Sequence, residues 1–372
     1  MEKHSQVFAK FATFENLYDG YLLARRQKRY KNEVLEYSTH LEDYLVTDLA
    51  RLRNKTYRTG EPHPFYEYYP KKRLIHSLPF NDRVINCAAY IQLWPIYEKS
   101  FYEHSYGSVP NMGTVKAVQQ LQKWMRMVYN SPYEWTIGKM DVAKFFFRIP
   151  YEVQLRELGK PLDDPDMMWF LKTAIEADGR PLGLPIECQD VATAERIAGR
   201  GMQVGSLISQ TTANVVLTPL DHYVKRVLHV PYYIRYMDDM VFLARSKQEA
   251  WEITKASDAF LRKGFGLQLN RKTAVMPVRS GVEFIGRHIH VDKVLLRKET
   301  TLRLKRHLAY VMEHYSRGEL TLEYCLQVFQ SYMGLLKYTN SDALKQKLID
   351  DFVLVRNSEQ YHAYINHPAP RQ

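Results

Sequence analysis

The residues best suited to chemistry in this chain are two adjacent acids, Asp238 and Asp239, in the tetrapeptide Tyr236–Asp239. Short runs rich in β-branched and aromatic residues flank the tetrapeptide, which predicts the tight turn of a β-hairpin. Such a tip concentrates negative charge, and Mg²⁺ is a hard cation that binds carboxylate and phosphate oxygens. An isolated Asp-Asp pair is more often a solvated turn than a metal site, so its interpretation depends on the rest of the chain.

A third acid, Asp141, lies in the stretch from Trp135 to Phe147, which predicts a strand that leads into an aromatic turn. Phosphoryl transfer with two metal ions needs at least two carboxylates to hold the cations about 3.5–4 Å apart. A strand that carries one acid beside a hairpin that carries two meets that need, and it predicts a polymerase palm. The candidate catalytic and metal-binding residues are Asp141, Val142, Asp238 and Asp239.

Together these segments resemble the active site of reverse transcriptases. Asp141 stands where the family's first palm motif has its metal-binding aspartate, and Tyr236–Asp239 matches the family's signature hairpin. Phe146 stands where the family places an aromatic steric gate against the ribose 2′-hydroxyl. The resemblance implies that Asp141 and Asp238 bridge two Mg²⁺ ions, with Mn²⁺ as an alternative cofactor and with Asp239 assisting.

Other segments resemble further motifs of the same family, in the family's order. Lys and Arg supply positive charge to a leaving pyrophosphate, and Arg adds bidentate hydrogen bonds. The fingers motif that holds the incoming triphosphate is matched by Lys71, Lys72 and Arg73. Gly266–Thr273 resembles the fourth palm motif, in which Lys272 is either a general acid for pyrophosphate or a snorkelling surface lysine. The primer grip is matched by Val282–Gly286, with Phe284, Ile285 and Gly286 as candidate contacts.

The third palm motif indicates a subfamily. Most reverse transcriptases carry Gln-Gly, three residues and then Ser-Pro, whereas this chain has Val204-Gly205 and then Ser209-Gln210. A small aliphatic residue at the first place and Ser-Gln at the end resemble the enzymes of diversity-generating retroelements, although other bacterial reverse transcriptases share Ser-Gln. Because glycine has no Cβ, Gly205 would let the backbone approach the template base or the nucleotide. The candidate nucleotide contacts here are Val204, Gly205 and Gln210.

Two departures from that subfamily leave alternatives open. Gly107-Ser108-Val109 stands where the subfamily commonly has Ala-Cys-Arg, and Glu187 to Arg200 resembles an insertion before the third motif. An antiviral-defence or retron-type reverse transcriptase is therefore the main alternative. A catalytically silent RNA-binding scaffold is disfavoured by the intact acids, and a structural protein with a fortuitous acidic hairpin is disfavoured by the ordered motifs.

The resemblance implies a right-hand polymerase of the α/β (α+β) class that positions these residues with fingers, palm and thumb. The predicted boundaries are 1–130 for an N-terminal helical segment and the fingers, 131–288 for the palm with an inserted finger-side segment at about 151–200, and 289–372 for a helical thumb. One apolar helical face in the thumb comprises Leu304, Leu308, Val311 and Tyr315. Arg303 and Arg306 fall off that face and could contact a duplex backbone, which would fix position without reading sequence; an ordinary amphipathic helix is the alternative.

Composition agrees with a nucleic-acid enzyme. The 372 residues carry a net charge of +11 with a pI of about 9.3, which favours a polyanionic partner without specifying a fold. The start of the chain does not resemble a signal peptide, and no stretch approaches the ~20 apolar residues of a spanning helix. The three cysteines are far apart and form neither a zinc pattern nor a disulfide framework, so we expect a cytoplasmic protein without a membrane partner.

The predicted reaction is RNA-templated DNA synthesis, in which a primer 3′-hydroxyl attacks the α-phosphate of a dNTP and releases pyrophosphate. The expected partners are the template RNA, the RNA/DNA heteroduplex and dNTPs. The resemblance to the retroelement enzymes implies two further partners: a small basic accessory protein, and a template-repeat RNA that is copied with errors at adenines.

Overall fold

The computed structural model describes residues 3–67, 73–185 and 195–366 of the chain. These residues form a mixed α/β fold, as the sequence predicts. Two of the triphosphate candidates, Lys71 and Lys72, lie outside the described residues, and so does most of the segment that resembles an insertion.

Helices account for most of the first hundred residues. Four of them precede the first strand and one follows the second strand: α1 (Val7–Phe11), α2 (Phe14–Ala24), α3 (Asn32–Thr39), α4 (Leu41–Arg53) and α5 (Phe80–Tyr97). The Thr13 hydroxyl accepts a hydrogen bond from the Asn16 N–H and so caps the start of α2. A Cβ on Gly20 would lie 2.6 Å from the Val84 carbonyl oxygen, so glycine is what allows α2 and α5 to pack closely.

The fingers sequence forms an antiparallel hairpin of β1 (His63–Glu67) and β2 (Arg73–Ser77). Glu67 pairs with Arg73 in the register of the two strands. Arg73, the third of the predicted triphosphate contacts, is thus the first residue of β2.

The predicted palm contains a four-stranded sheet in the order β4-β5-β3-β6. Its strands are β3 (Thr136–Asp141), β4 (Tyr232–Tyr236), β5 (Asp239–Ala244) and β6 (Ala274–Pro277). β3 and β5 are neighbours, and a Cβ on Gly138 would lie only 2.1 Å from the Phe242 ring. The ring therefore fills the space over a glycine on the next strand, and this packing fixes the two acid-bearing strands side by side.

Helices before, between and after these strands complete this part of the chain. They are α6 (Thr114–Tyr129), α7 (Phe145–Arg148), α8 (Tyr151–Gly159), α9 (Pro165–Glu176), α10 (Leu207–His222) and α11 (Lys247–Phe265). Asp164 caps α9 by accepting a hydrogen bond from the Met167 N–H, and its other oxygen accepts one from the Phe8 N–H. Helix α9 is thereby joined to α1 in one apolar core that also contains Phe11 and Phe170.

The C-terminal part begins with an antiparallel sheet of β7 (Val282–Phe284), β8 (Arg287–Ile289) and β9 (Val294–Leu296). It continues as α12 (Lys298–Ser316), α13 (Leu322–Leu336), α14 (Asp342–Asp351) and α15 (Ser358–Asn366). The apolar face predicted for α12 is confirmed, because Leu304, Leu308, Val311 and Tyr315 are all buried.

The chain divides into two units. The first comprises Met1–Gly113, Gly138–Phe242 and Gln248–Ala274, and the second comprises Thr114–Ile137, Leu243–Lys247 and Val275–Gln372. The predicted boundaries of fingers, palm and thumb stay predictions. No helix in the part of the chain that the structure describes is both long enough and apolar enough to cross a membrane.

Candidate active site

The end of β3 lies against the tip of the β4–β5 hairpin. The Val142 N–H donates a hydrogen bond to the Asp238 carbonyl oxygen at 3.3 Å. Asp141 and Asp238 are thus carried on directly adjacent backbone segments, although they are far apart in sequence. Both residues are partly exposed, so their carboxylates are accessible from one end of the sheet.

The segment after α11 supports Asp141 from its other side. The Ala143 N–H donates to the Gln268 carbonyl oxygen at 2.9 Å, and the Asn270 N–H donates to the Asp141 carbonyl oxygen at 2.6 Å. The Asn270 side chain also donates from Nδ2 to Asp141 Oδ2 at 3.0 Å. These bonds hold the Asp141 carboxylate in a defined orientation.

Sequence reasoning did not identify Asn270 as a site residue. Asn270 lies inside the fourth palm motif, in which Lys272 was the candidate site residue. A single sequence does not reveal which side-chain amide of such a motif will face a distant carboxylate. Lys272 follows closely in an exposed turn, and its N–H donates to Asn270 Oδ1 at 3.0 Å. The structure therefore brings the backbone of Lys272 near the acids.

Asp239 has a different environment from Asp238. Its Oδ1 lies 3.8 Å from Lys139 Nζ, and both side chains are largely shielded from solvent. Lys139 stands two residues before Asp141 on β3, and alternate residues of a strand share a face. Lys139 is a second residue that sequence reasoning missed, although its spacing from Asp141 was a signal.

The oxygen donors here suit a hard cation, because carboxylates are the ligands that Mg²⁺ prefers. Among residues 3–67, 73–185 and 195–366, no group of three or more His, Cys, Asp or Glu side chains lies close enough to hold a metal ion. The structure places the backbone of Val142 against that of Asp238, and the metal-binding roles of Asp141, Asp238 and Asp239 all stay predictions.

A buried ion pair lies beneath the hairpin tip. Arg235 on β4 and Asp221 at the end of α10 are both 0% exposed. Arg235 Nη2 donates to Asp221 Oδ2 at 2.7 Å and Nε donates to Oδ1 at 2.8 Å. Burial opposes the charge on Arg235, but the Asp221 carboxylate outweighs it and holds the pKa of Arg235 above its ordinary value. The two charges therefore form a fixed, paired anchor within the first unit.

This anchor reaches the hairpin tip through further hydrogen bonds. Arg235 Nη1 donates to the Met237 carbonyl oxygen at 3.2 Å and to Asn214 Oδ1 at 2.9 Å. Asn214 Nδ2 in turn donates to the Gly107 carbonyl oxygen at 2.9 Å. Met237 has a φ of +55°, a backbone conformation that costs a non-glycine residue free energy. The hydrogen bond from Arg235 therefore helps to hold Met237 in a conformation that is unfavourable for methionine.

Gly107 packs directly against this turn. A Cβ at Gly107 would lie 2.6 Å from both the Met237 backbone nitrogen and its Cγ, a distance that real Cβ atoms do not tolerate. Gly107, which stands where the retroelement enzymes commonly have Ala, thus supports the Tyr236–Asp239 tip.

The three adjacent phenylalanines after Asp141 have different environments. Phe145 is 1% exposed and belongs to the core. Phe147 lies under the Arg196 guanidinium, whose carbon is 4.5 Å from the ring centroid. Phe146 is partly exposed, and its carbonyl oxygen accepts a hydrogen bond from the Met202 N–H at 2.7 Å. The Phe146 ring also packs edge to face on Phe145, with ring centroids 5.4 Å apart.

The third palm motif lies at the start of α10. Gly205 has a φ of +100° and is exposed, and a Cβ there would meet only Ile75, at 3.9 Å. Val204 is partly exposed, whereas its neighbour Gln203 is buried. Gln210 lies in the first turn of α10, and its N–H donates to the Ser206 carbonyl oxygen at 3.2 Å. The predicted nucleotide contacts thus form one segment around a left-handed glycine.

The residues matched to the primer grip form the turn between β7 and β8. Phe284 pairs with Arg287, so Ile285 and Gly286 are the two loop residues, with φ values of +48° and +74°. Two positive φ values are the mark of a type I′ hairpin, which favours glycine. On α12, Arg306 is exposed and Arg303 is partly buried.

Comparison with known proteins identifies the family. The model of the reverse transcriptase (RNA-dependent DNA polymerase) family matches residues 67–289, more than half of the chain. The chain belongs to the reverse transcriptase family. The predicted activity, RNA-directed DNA polymerase, is thereby confirmed, and the predicted right-hand class agrees with it.

Two curated proteins are similar to this reverse transcriptase. Protein YkfC of Escherichia coli is 22% identical over 295 residues, which cover 68% of this chain and 73% of that protein. The putative COX1/OXI3 intron 2 protein of Saccharomyces cerevisiae is 21% identical over 285 residues, which cover 62% of this chain and 33% of that protein. The aligned part is thus about a third of the yeast protein.

Solved structures of telomerase also resemble it. Telomerase from Candida albicans, in complex with a fragment of telomeric RNA, has a TM-score of 0.44 and 11% identity, and covers 88% of this chain and 60% of that chain. Apo telomerase from Candida tropicalis, truncated from its C-terminal domain, has the same TM-score and identity and covers 66% of this chain and 58% of that chain.

Proposed function

We propose that Asp141 and Asp238 are the residues with which this reverse transcriptase holds its divalent metal ions, with the Val142 carbonyl group and Asp239 in support. The observation that carries the proposal is the hydrogen bond from the Val142 N–H to the Asp238 carbonyl oxygen, which joins the two acid-bearing segments. When bound, two Mg²⁺ or Mn²⁺ ions would activate the primer 3′-hydroxyl and neutralise the charge on the triphosphate.

The protein's own residues orient the reactants of this reaction. The primer 3′-hydroxyl attacks the α-phosphate of the dNTP, a new phosphodiester bond forms, and the bond to pyrophosphate breaks. Asn270 holds one oxygen of Asp141 through its amide, so the carboxylate needs less reorganisation during the reaction. Lys139, whose Nζ lies 3.8 Å from Asp239 Oδ1, would offset part of the negative charge of that carboxylate.

Other residues would select and hold the nucleotide. Positive charge for the triphosphate would come from Lys71, Lys72 and Arg73. Phe146, the partly exposed phenylalanine, would exclude a ribose 2′-hydroxyl, and Gly205 would leave room for the nucleotide or the template base. Lys272 would donate a proton to the leaving pyrophosphate. Phe284, Ile285 and Gly286 would contact the primer strand.

The metal assignment is tested with Asp238→Asn, which removes the charge but keeps the shape of the side chain. We expect loss of Mg²⁺-dependent dNTP incorporation on a primed RNA, with an unchanged circular dichroism spectrum, because the ions need carboxylate ligands. Asp19→Asn is the matched control, since Asp19 is an exposed aspartate on α2. Near-wild-type extension by the Asp238 variant would refute the assignment.

We propose further that the enzyme serves a diversity-generating retroelement. It would copy a template-repeat RNA in the cytosol, with a small basic accessory protein. The support is Val204 at the first place of the third palm motif and Ser209-Gln210 at its end. The Val204 side chain offers no hydrogen bond to a nucleotide, and the neighbouring Gln203 is buried. A mispaired nucleotide would therefore lose less binding free energy here than in an enzyme that has a polar side chain at this position. One such contact is worth about 1 kcal/mol, or roughly fivefold in discrimination.

The role is tested by sequencing the RNA and DNA that copurify with the enzyme and by counting errors per template base in its products. A template-repeat RNA with errors concentrated at adenines supports the retroelement role, and Val204→Gln should then lower the error rate. A dedicated structured RNA copied with similar accuracy at every base would instead favour an antiviral-defence or retron-type enzyme.

A further inference from the structure

A cavity of about 300 Å³ lies within the second unit, between α6, the β7–β9 sheet and the chain after α13. Its polar lining consists of basic, amide and hydroxyl groups, and no lining residue is acidic. The lining residues that could hold a ligand are Gln119, Gln122, Arg287, Lys337 and Asn340. Because a water molecule occupies about 30 Å³ of liquid, the cavity is large enough for a polyatomic ion.

Arg287 is the unusual residue of this cavity. Its side chain is only 6% exposed, and its buried Nη1 has no hydrogen-bond partner among the described residues. Burial lowers the pKa of Arg287, yet a guanidinium does not lose its proton in proteins. A buried cationic N–H group without a partner is unfavourable, so the site favours an anion that would accept a hydrogen bond from Nη1.

Two other polar residues that line the cavity are held in place by hydrogen bonds to the backbone. Gln122 Nε2 donates to the His290 carbonyl oxygen at 3.1 Å, and Asn340 Oδ1 accepts from the Val294 N–H at 2.9 Å. These bonds fix two amides of the wall. Lys337 adds a second positive charge, with its Nζ 5.7 Å from the centroid of the Tyr338 ring. The wall is therefore structured without a ligand, and its charge is positive.

We propose that this cavity binds a phosphate group, held by the Arg287 guanidinium and by Lys337. A guanidinium suits phosphate because its parallel N–H groups can donate two hydrogen bonds to two phosphate oxygens. Arg287 pairs with Phe284 across the Ile285-Gly286 turn, so a bound phosphate would also fix the turn that is matched to the primer grip. The site belongs to the second unit, and its occupancy does not depend on the roles proposed for Asp141 and Asp238.

The phosphate could be free in solution or part of a bound nucleic-acid strand. Isothermal titration with inorganic phosphate, at constant ionic strength, tests the first source. Binding of primed RNA at a series of salt concentrations tests the second, because each phosphate contact contributes about 0.7–0.9 to the log–log slope. Arg287→Met keeps an apolar stem and removes the charge, and Lys337→Met does the same at the second cation. Lys345→Met, an exposed lysine of α14, is the matched control.

We expect Arg287→Met to weaken binding of one of these two probes by about tenfold or more, since a charge-assisted hydrogen bond is worth about 1.5–3 kcal/mol. Lys337→Met should weaken binding of the same probe less, and Lys345→Met should have no effect. Lost binding of inorganic phosphate identifies a free ligand, and a flatter salt slope with primed RNA identifies a strand phosphate. If both probes bind Arg287→Met and Lys337→Met as they bind the wild type, the cavity holds only water and the proposal is wrong.

Discussion

At the scale of single residues, we expect one buried carboxyl group to affect pH dependence and one phenylalanine to affect sugar selectivity. Asp48 on α4 is an example outside the active site, because it is only 2% exposed. Asp48 Oδ1 lies 3.6 Å from Arg51 Nη1, and Arg51 is half exposed. Burial, opposed by Arg51, raises the pKa of Asp48 to about 6. The fold therefore favours the protonated form of this carboxyl group.

The consequence is a loss of stability as pH rises. A carboxyl group whose pKa is higher in the fold than in the unfolded chain stabilises the fold fully below its ordinary pKa, near 4, and loses that contribution as pH rises through 6. A difference of two units corresponds to about 3 kcal/mol. We expect Asp48→Asn to remove this dependence, and to exceed the wild type in free energy of unfolding at pH 7.

The measurement is urea unfolding of the wild type and the variant between pH 4 and pH 7. Asp43→Asn, an exposed aspartate on the same helix, should leave the pH dependence unchanged. Parallel curves for wild type and Asp48→Asn would show that Asp48 titrates with its ordinary pKa.

Phe146 is the residue expected to set sugar selectivity. Phe145 is in the core and Phe147 stacks under Arg196, so Phe146 is the first candidate of the three for contact with a nucleotide. Phe146→Ala should lower the ratio of kcat/KM for dNTP over rNTP by tenfold or more, since the ring would no longer exclude the 2′-hydroxyl. About 1.4 kcal/mol corresponds to tenfold. An unchanged ratio, with normal dNTP incorporation, would place the gate at another residue.

At the scale of elements, the sequence predicts the strands better than the contacts that hold them. Apolar runs on both sides of Tyr236–Asp239 were sufficient to predict the β4–β5 hairpin, and the apolar spacing in α12 was sufficient to predict its buried face. The partners of Arg235 could not be predicted, because Asp221, Asn214 and Ser105 lie on other elements. A buried Arg is recognisable only when the residues that neutralise it are known.

The same limit applies to the elements around Asp141. Its position at a strand end followed from sequence, and so did its relation to the acidic hairpin. Its hydrogen bonds to Asn270 depend on which residue of the segment after α11 faces β3, a register that no local pattern specifies. Packing between elements, and not propensity within them, determines that register.

The hairpin tip depends on Gly107, which belongs to a different element. A Cβ there would overlap Met237, so Gly107→Ala should displace the tip that carries Asp238. We expect kcat to fall by about tenfold or more, because small displacements of reacting groups are costly, while the far-ultraviolet circular dichroism stays native. Gly264→Ala on α11 is the control, since a Cβ there meets nothing within 4 Å. Equal activity of Gly107→Ala and wild type would show that the tip has room to adjust.

At the scale of the whole molecule, net charge is the property with the clearest consequence. The chain carries +11, and Arg303 and Arg306 on α12 lie off its buried apolar face. Because phosphate contacts release counterions from the nucleic acid, the affinity for primed RNA should fall linearly on a log–log plot against salt, by about 0.7–0.9 per contact.

Replacing both arginines with alanine should therefore flatten this slope by about 1.4–1.8 if each contacts one phosphate. The matched control is the double replacement of Lys345 and Lys347 with alanine, which removes the same charge from exposed positions on α14. If total charge alone governed binding, both double variants would lose affinity equally. If α12 contacts the backbone, the salt slope falls for the arginine variant alone, because counterions are released where a side chain neutralises a phosphate.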